Sequence, residues 1–122
     1  MINWYGGWCL ILAAFLTGAL IGLFFHQHDF LGGYGSFPRR MIRLGHIACF
    51  GLGLINILFA LTAVTLPFSP LLAAASALLI VGQITMPLNC FLTAWRNPWR
   101  HLFFIPAGST LAGIGCLLFA LR

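Results

Sequence analysis

Four long apolar stretches constrain this chain more than any other feature of its sequence. They cover roughly residues 8–25, 44–66, 71–92 and 102–121 of the 122. A helix needs about 20 apolar residues to cross the hydrocarbon core of a bilayer, where every backbone N–H and C=O must be paired within the helix. We therefore predict an all-α integral membrane protein, with residues 1–122 forming a single membrane domain of four spans.

The composition supports a membrane location. Hydrophobic residues make up 61% of the chain and charged residues only 6%, which leaves too little polar surface to coat a water-soluble globule. The formal net charge of +5 comes from six basic residues against one acidic residue. No separate basic domain accompanies this charge, so we expect the lipid bilayer, and not nucleic acid, as the partner.

The links between the spans are short and rich in turn residues. Gly32 and Gly33 lie in the first link, Pro67 and Pro70 bound the second, and Pro98 lies in the third. Short links force neighbouring helices to run antiparallel, which predicts an up-down-up-down four-helix bundle. The first and third links then share one membrane face, and the second link shares the other face with both termini.

The basic side chains are distributed unequally between these two faces. The first and third links and the helix ends beside them carry five of the six arginines: Arg39, Arg40, Arg43, Arg96 and Arg100. Because arginine-rich links stay in the cytoplasm in most membrane proteins, we expect these links to be cytoplasmic and both termini to lie outside. We expect the membrane to be a bacterial inner membrane.

Few residues are available for catalysis. Asp29 is the only acidic side chain, so mechanisms that need paired carboxylates have almost nothing to use. The sequence contains no glycine-rich phosphate loop and no Cys-x-x-Cys pair. These observations favour a protein without an independent catalytic activity.

Histidine is the most informative residue type that remains. His26 and His28 follow the first span, His46 lies about one turn inside the second, and His101 precedes the fourth. All four therefore fall at the arginine-rich ends of the spans. On the second and fourth helices, the residue seven positions after the histidine, on the same helical face, is a glycine.

This repeated pattern suggests a haem site. The second and fourth helices run in the same direction and would be diagonal in a four-helix bundle, so His46 and His101 would face each other and serve as the two axial ligands of a haem iron. Gly53 and Gly108 would make room for the flat ring. The hypothesis is a bis-histidine haem b or another tetrapyrrole near the cytoplasmic face.

Other residues near these histidines complete the hypothetical site. Arg43 and Arg100 would neutralise the haem propionates, and Asn89 lies at a depth suited to orienting an imidazole. The same histidine and arginine groups would also suit a quinone or a lipid headgroup. The alternative without a cofactor also stands, because histidines at the ends of spans commonly bond headgroups or carbonyl groups at the interface.

Polar residues inside the spans predict contacts between helices. Asn56, Gln83 and Ser109 fall near the middle of the membrane, where an unpaired polar group is costly. We expect their side chains to form hydrogen bonds between helices.

Two functions are consistent with these features. The first is a small accessory subunit of a larger membrane complex, respiratory or photosynthetic, that packs against other membrane subunits. The second is a stand-alone electron-transfer protein that carries haem b or interacts with quinone. A channel or transporter is a minor third alternative, because four helices hardly enclose a pore and the charged groups that attract ions into a membrane are missing.

Overall fold

The computed structural model describes all residues from 1 to 122 and is built from four long helices. These helices are α1 (Ile2–Phe24), α2 (Phe37–Ala63), α3 (Pro70–Trp95) and α4 (Phe104–Ala120). Two short 3₁₀ turns, Phe30–Gly32 and Asn97–Leu102, lie in the first and third links, and the second of them continues into α4. All four helical segments are long and apolar enough to cross a membrane. The prediction of an all-α integral membrane protein with four spans is confirmed.

Local capping chemistry sets where two of the helices begin. The Ser36 hydroxyl accepts a hydrogen bond from the Arg39 backbone N–H at 3.4 Å, and a proline follows within the first turn of α2. At α3, Ser69 accepts from the Leu72 N–H at 3.3 Å, and Pro70 is the first helical residue. A serine cap pairs one of the N–H groups that the first helical turn leaves free, and proline has no N–H to leave unpaired there.

Two of the helices begin earlier than the predicted spans. Helix α1 starts at Ile2 instead of residue 8, because Asn3 is buried against the neighbouring helices and its side chain finds partners there. Helix α2 starts at Phe37 instead of residue 44, because Ser36 caps it before the arginines. The length of an apolar stretch predicts the part of a helix that lies in lipid. The helix itself extends further, until its terminal backbone groups are capped.

The helices pack in chain order, each antiparallel to the next. Helix α1 also touches α3, because Gly6 has no side chain and the Gln83 amide packs against it. Helix α4 packs on α3 and on the 3₁₀ turn before it, and makes at most marginal contact with α1 and α2. The up-down-up-down bundle is therefore open on the side of α4.

The two ends of the bundle differ in chemistry. We call the end that holds links 25–36 and 96–103 the arginine end, because five of the six arginines lie there. The opposite end, with link 64–69 and residues Met1 and Arg122, is called the terminal end.

Small residues let the helix backbones approach closely inside the bundle. A Cβ added to Gly7 of α1 would lie 2.7 Å from the carbonyl oxygen of Gly53 on α2. A Cβ added to Gly113 of α4 would lie 2.9 Å from the Leu79 side chain of α3. Packing of this kind drives helix association in lipid, where apolar side chains gain nothing by leaving the hydrocarbon.

Candidate functional site

His46 lies half-buried at the interface of α1 and α2, near the arginine end. Its ring packs against Gly18, where an added Cβ would be 2.7 Å from the ring carbon Cε1. Its Nδ1 atom lies 3.3 Å from the Thr17 hydroxyl oxygen. The imidazole is therefore positioned by α1 and not by α4.

The hydrogen bonds of Thr17 indicate the tautomer of His46. The Thr17 hydroxyl donates to the Ala13 carbonyl oxygen at 2.8 Å, with the Ala14 carbonyl oxygen 3.1 Å away. Since its single proton is used there, the hydroxyl oxygen is placed to accept from His46, which in the neutral imidazole puts the ring proton on Nδ1. In that tautomer the lone pair is on the Nε2 atom, which packs beside Gly18.

His101 is placed differently. It lies exposed on the 3₁₀ turn that precedes α4, and Gly108 is exposed on α4 with no atom within 4 Å of an added Cβ. The diagonal pair of helices that touches in this bundle is α1 with α3. Helix α3 therefore lies between α2 and α4. The structure therefore does not bring His46 and His101 together across the core.

The other residues of the predicted haem site are either packed against a neighbouring helix or exposed. Gly53 is buried, and an added Cβ would lie 2.8 Å from the Ile11 side chain, so α1 fills the space proposed for a ring. Arg100 is exposed on the same 3₁₀ turn as His101. The structure thus leaves the two histidines apart and the two glycines without a shared cavity.

Asn89 has a structural partner at the start of the fourth span. With its amide oriented to satisfy both atoms, Nδ2 donates to the Trp99 carbonyl oxygen at 2.8 Å and Oδ1 accepts from the Phe103 N–H at 3.0 Å. The side chain is buried, with 6% of its surface exposed. Asn89 thus ties α3 to the turn that leads into α4, and it does not orient an imidazole.

Arg39 is the one buried cation, with 3% of its surface exposed. Its guanidinium donates to the Phe25 carbonyl oxygen at 3.2 Å and lies 3.4 Å from the His28 carbonyl oxygen. The Phe25 and Tyr34 rings lie 4.8 and 5.5 Å from the guanidinium carbon. A cation at this position pairs the Phe25 carbonyl at the end of α1 and the His28 carbonyl of the link, and it stabilises the negative end of the α1 dipole.

The remaining arginines at this end are more exposed. Arg43 is partly exposed, donates to the Tyr34 carbonyl oxygen at 3.3 Å and stacks on the Tyr34 ring at 4.3 Å. Arg40 and Arg96 are exposed. These side chains lie where lipid headgroups meet a membrane protein.

A buried polar cluster joins three helices towards the terminal end. Asn3 of α1 donates through Nδ2 to the Asn56 Oδ1 atom on α2 at 2.8 Å and to the Ser76 carbonyl oxygen on α3 at 3.3 Å. The Ser76 hydroxyl donates to the Asn3 Oδ1 atom. Asn56 also donates to the Leu52 carbonyl oxygen at 3.0 Å, with the Leu79 carbonyl oxygen 3.4 Å away. This confirms the hydrogen bonding between helices that was expected of Asn56.

The sequence reasoning placed Asn3 outside the first span and missed its role. The signal that identifies it is the spacing of Asn3, Gly6 and Gly7, which places one polar and two small residues on the same helical face. That face is the one that packs against α2 and α3.

The other two polar residues of the spans depart from the expectation. The Ser109 hydroxyl donates to the Pro106 carbonyl oxygen at 3.1 Å within its own helix. The Gln83 Oε1 atom is buried without a hydrogen-bond partner, and so is the Thr110 hydroxyl oxygen. Short side chains such as serine reach a carbonyl of the preceding turn more easily than a neighbouring helix.

A cavity of about 560 Å³ lies at the terminal end, above the polar cluster and between α1, α2 and α3. Eleven of the thirteen residues that line it are hydrophobic, and the other two are Asn3 and Ser76. Its volume falls within the range of small-molecule binding pockets, roughly 300–1,000 Å³.

No family model, curated protein or solved structure matches this chain. No group of three or more histidine, cysteine, aspartate or glutamate side chains is placed to hold a metal ion.

Proposed function

We propose that the protein is an accessory subunit of a larger membrane complex and packs against another subunit through the outward face of α4. One observation carries the proposal: α4 packs on α3 almost alone, and only 11% of the apolar window of its span is buried within the chain. The apolar window of α1 is 17% buried, and those of the central helices α2 and α3 are 39% and 33% buried. A partner helix on the open side would bury the outward face of α4, just as neighbouring helices within the chain already bury parts of α2 and α3.

The surface of α4 suits a helix better than it suits lipid tails alone. Gly108 and Gly115 lie on its outward face, and an added Cβ at either glycine would meet nothing within 4 Å. Leu111 lies between them, with 72% of its side chain exposed. Bare backbone flanked by a large apolar side chain allows a second helix to approach closely, which is how membrane helices gain packing energy.

The test uses a photo-crosslinking amino acid at position 111 in the native membrane. We expect one discrete adduct with a different membrane protein, which mass spectrometry identifies. The variant Gly108→Leu should weaken that adduct at least fivefold, because a large side chain holds the partner helix away. The matched control is Gly51→Leu, since an added Cβ at Gly51 of α2 also meets nothing within 4 Å.

Three results would overturn the proposal. The first is an adduct with twice the mass of the chain, because it would show self-association. The second is an equally strong adduct from a crosslinker at Leu58, which is exposed on α2. The third is an adduct from position 111 that Gly108→Leu leaves unchanged.

A second candidate function is an interaction with a quinol, and the lone pair on Nε2 of His46 favours it. A quinol hydroxyl donates a hydrogen bond to such an acceptor, and Thr17 fixes the acceptor atom by accepting a hydrogen bond from the Nδ1–H group. A quinol site would suit a subunit of a respiratory or photosynthetic complex.

Binding of a short-chain quinol analogue to the purified chain tests this second function. His46→Ala should abolish binding, and Thr17→Val should weaken it severalfold because the tautomer is no longer fixed. His101→Ala should bind as the wild type does, since His101 is remote from the α1–α2 interface. Equal binding by the wild type and by His46→Ala would exclude the site.

A further inference from the structure

The terminal-end cavity owes its position to an offset between the helices. Asn3, near the start of α1, bonds to Asn56 and Ser76, which lie about two turns from the ends of α2 and α3 at this side. At 1.5 Å per residue, α2 and α3 extend roughly 10 Å beyond the level of Asn3. The cavity occupies the space between these two extensions.

The terminal-end cavity lies at the level of the outer part of the hydrocarbon layer. Helix α3 has 26 residues and is therefore about 39 Å long, compared with a hydrocarbon core of about 30 Å. The last 10 Å at the terminal end thus reaches from the headgroup boundary into the upper methylene groups of the lipid tails.

The polar side chains in the wall have no hydrogen to offer a ligand. Both amide hydrogens of Asn3 are used, one for the Asn56 Oδ1 atom and one for the Ser76 carbonyl oxygen. The Ser76 hydroxyl proton is used for the Asn3 Oδ1 atom. A carbonyl or carboxylate group of a ligand would find no donor in the side chains of Asn3 and Ser76, and the other eleven residues of the wall are hydrophobic, which favours an apolar occupant.

The rest of the wall is apolar and comes from three helices and the link between α2 and α3. Phe59 and Ala60 of α2, Leu72 and Ala73 of α3, and Trp4 of α1 all line the cavity. An apolar cavity at this depth is filled at little cost by a flexible hydrocarbon chain, because each methylene group that enters leaves an equally apolar environment and gains close contacts.

From these features we infer that the cavity binds one hydrocarbon tail of a membrane phospholipid, with the headgroup at the terminal end. The tail enters from the surrounding leaflet, and its upper methylene groups lie against the apolar wall above the Asn3 and Ser76 side chains. This inference does not depend on the proposed role of α4, because the cavity and the outward face of α4 belong to different sides of the bundle.

The experiment compares two neighbouring alanines of α3. Ala73 lines the cavity and Ala74 does not, and both are exposed. The full chain, purified in mild detergent, is mixed with phosphatidylethanolamine that carries a diazirine group among the upper methylene groups of one tail, and it is then irradiated. We expect crosslinks to map to Phe59, Leu72 and their neighbours, and native mass spectra to show one retained phospholipid per chain.

The variant Ala73→Trp should reduce both signals at least tenfold, since the indole fills the cavity, whereas Ala74→Trp should retain them. Equal retention by the two variants would overturn the inference. Crosslinks spread evenly over the exposed faces of all four helices would also overturn it, as would retention of an isoprenoid quinone in place of phospholipid. Helical content measured by circular dichroism verifies that both variants fold.

Discussion

The Asn3 amide donates a hydrogen bond to the Asn56 side-chain oxygen over 2.8 Å, deep between α1 and α2. The exposed fractions of these side chains are 3% and 0%. Close packing of Gly7 against Gly53 brings the two helices together, but apolar packing alone permits several registers in lipid. A buried amide pair is satisfied in one register only, so Asn3 and Asn56 fix how deeply α1 lies beside α2.

The first prediction concerns this amide pair. Asn3→Leu leaves the Asn56 oxygen without its donor, and we expect it to lower the free energy of unfolding by about 1–2 kcal/mol. A double-mutant cycle with Asn56→Leu should give a coupling energy of about 0.6–1.7 kcal/mol, which are the average and the maximum for hydrogen bonds between membrane helices. Unfolding by steric trapping in detergent micelles measures it, and a coupling energy of zero would contradict the assignment.

An added side chain at Gly7 should destabilise the contact between α1 and α2, which is the second prediction. A Cβ at this position would lie 2.7 Å from the Gly53 carbonyl oxygen and 2.7 Å from the Ile57 side chain, and the backbone oxygen cannot move aside cheaply. We expect Gly7→Ala to lower the free energy of unfolding by about 1–3 kcal/mol. Gly22→Ala is the matched control, because Gly22 lies on the same helix and an added Cβ there meets nothing within 4 Å. Resistance to unfolding in sodium dodecyl sulfate measures both variants, and an equal loss in both would be inconsistent with the close contact.

Arg39 provides the third prediction. Replacing it with methionine removes the hydrogen bonds from the guanidinium to carbonyl groups at the end of α1, and we expect a loss of about 2–3 kcal/mol in the free energy of unfolding. Arg40→Met changes the net charge by the same amount at an exposed position and should cost less than about 0.5 kcal/mol. Limited proteolysis should also cut the 25–36 link faster in the Arg39 variant. Equal stability of the two variants would show that Arg39 does not hold this link.

Much of the fold follows from local features of the sequence. The four spans follow from apolar length, and their antiparallel order follows from link length. The capped starts of α2 and α3 follow from Ser36 and Ser69, each with a proline one or two residues later. All of these signals are contained within one segment of the chain, so one sequence is sufficient to find them.

The arrangement of the helices around one another was not predictable in the same way. The expected diagonal pair was α2 with α4, whereas α1 approaches α3 because Gly6 admits the Gln83 amide. Which helices approach each other depends on whether a small residue on one helix faces a larger side chain on another. A repeat of residues within one helix does not show which other helix it will face. The placement of His46 beside Thr17 and of Asn89 beside Trp99 depends on the same matching.

The separation of α2 from α4 leads to the fourth prediction, which concerns haem binding. His46 lies at the α1–α2 interface and His101 on the exposed turn before α4, so one chain does not offer two facing imidazoles to an iron. Purified protein from cells supplied with haem should therefore show no low-spin bis-imidazole spectrum, oxidised or reduced by dithionite. Any weak haem absorbance should depend on His46, which lies between two helices, and His101→Ala should leave it unchanged. A sharp low-spin spectrum that His46→Ala and His101→Ala abolish equally would show that α2 and α4 do meet, in one chain or between two.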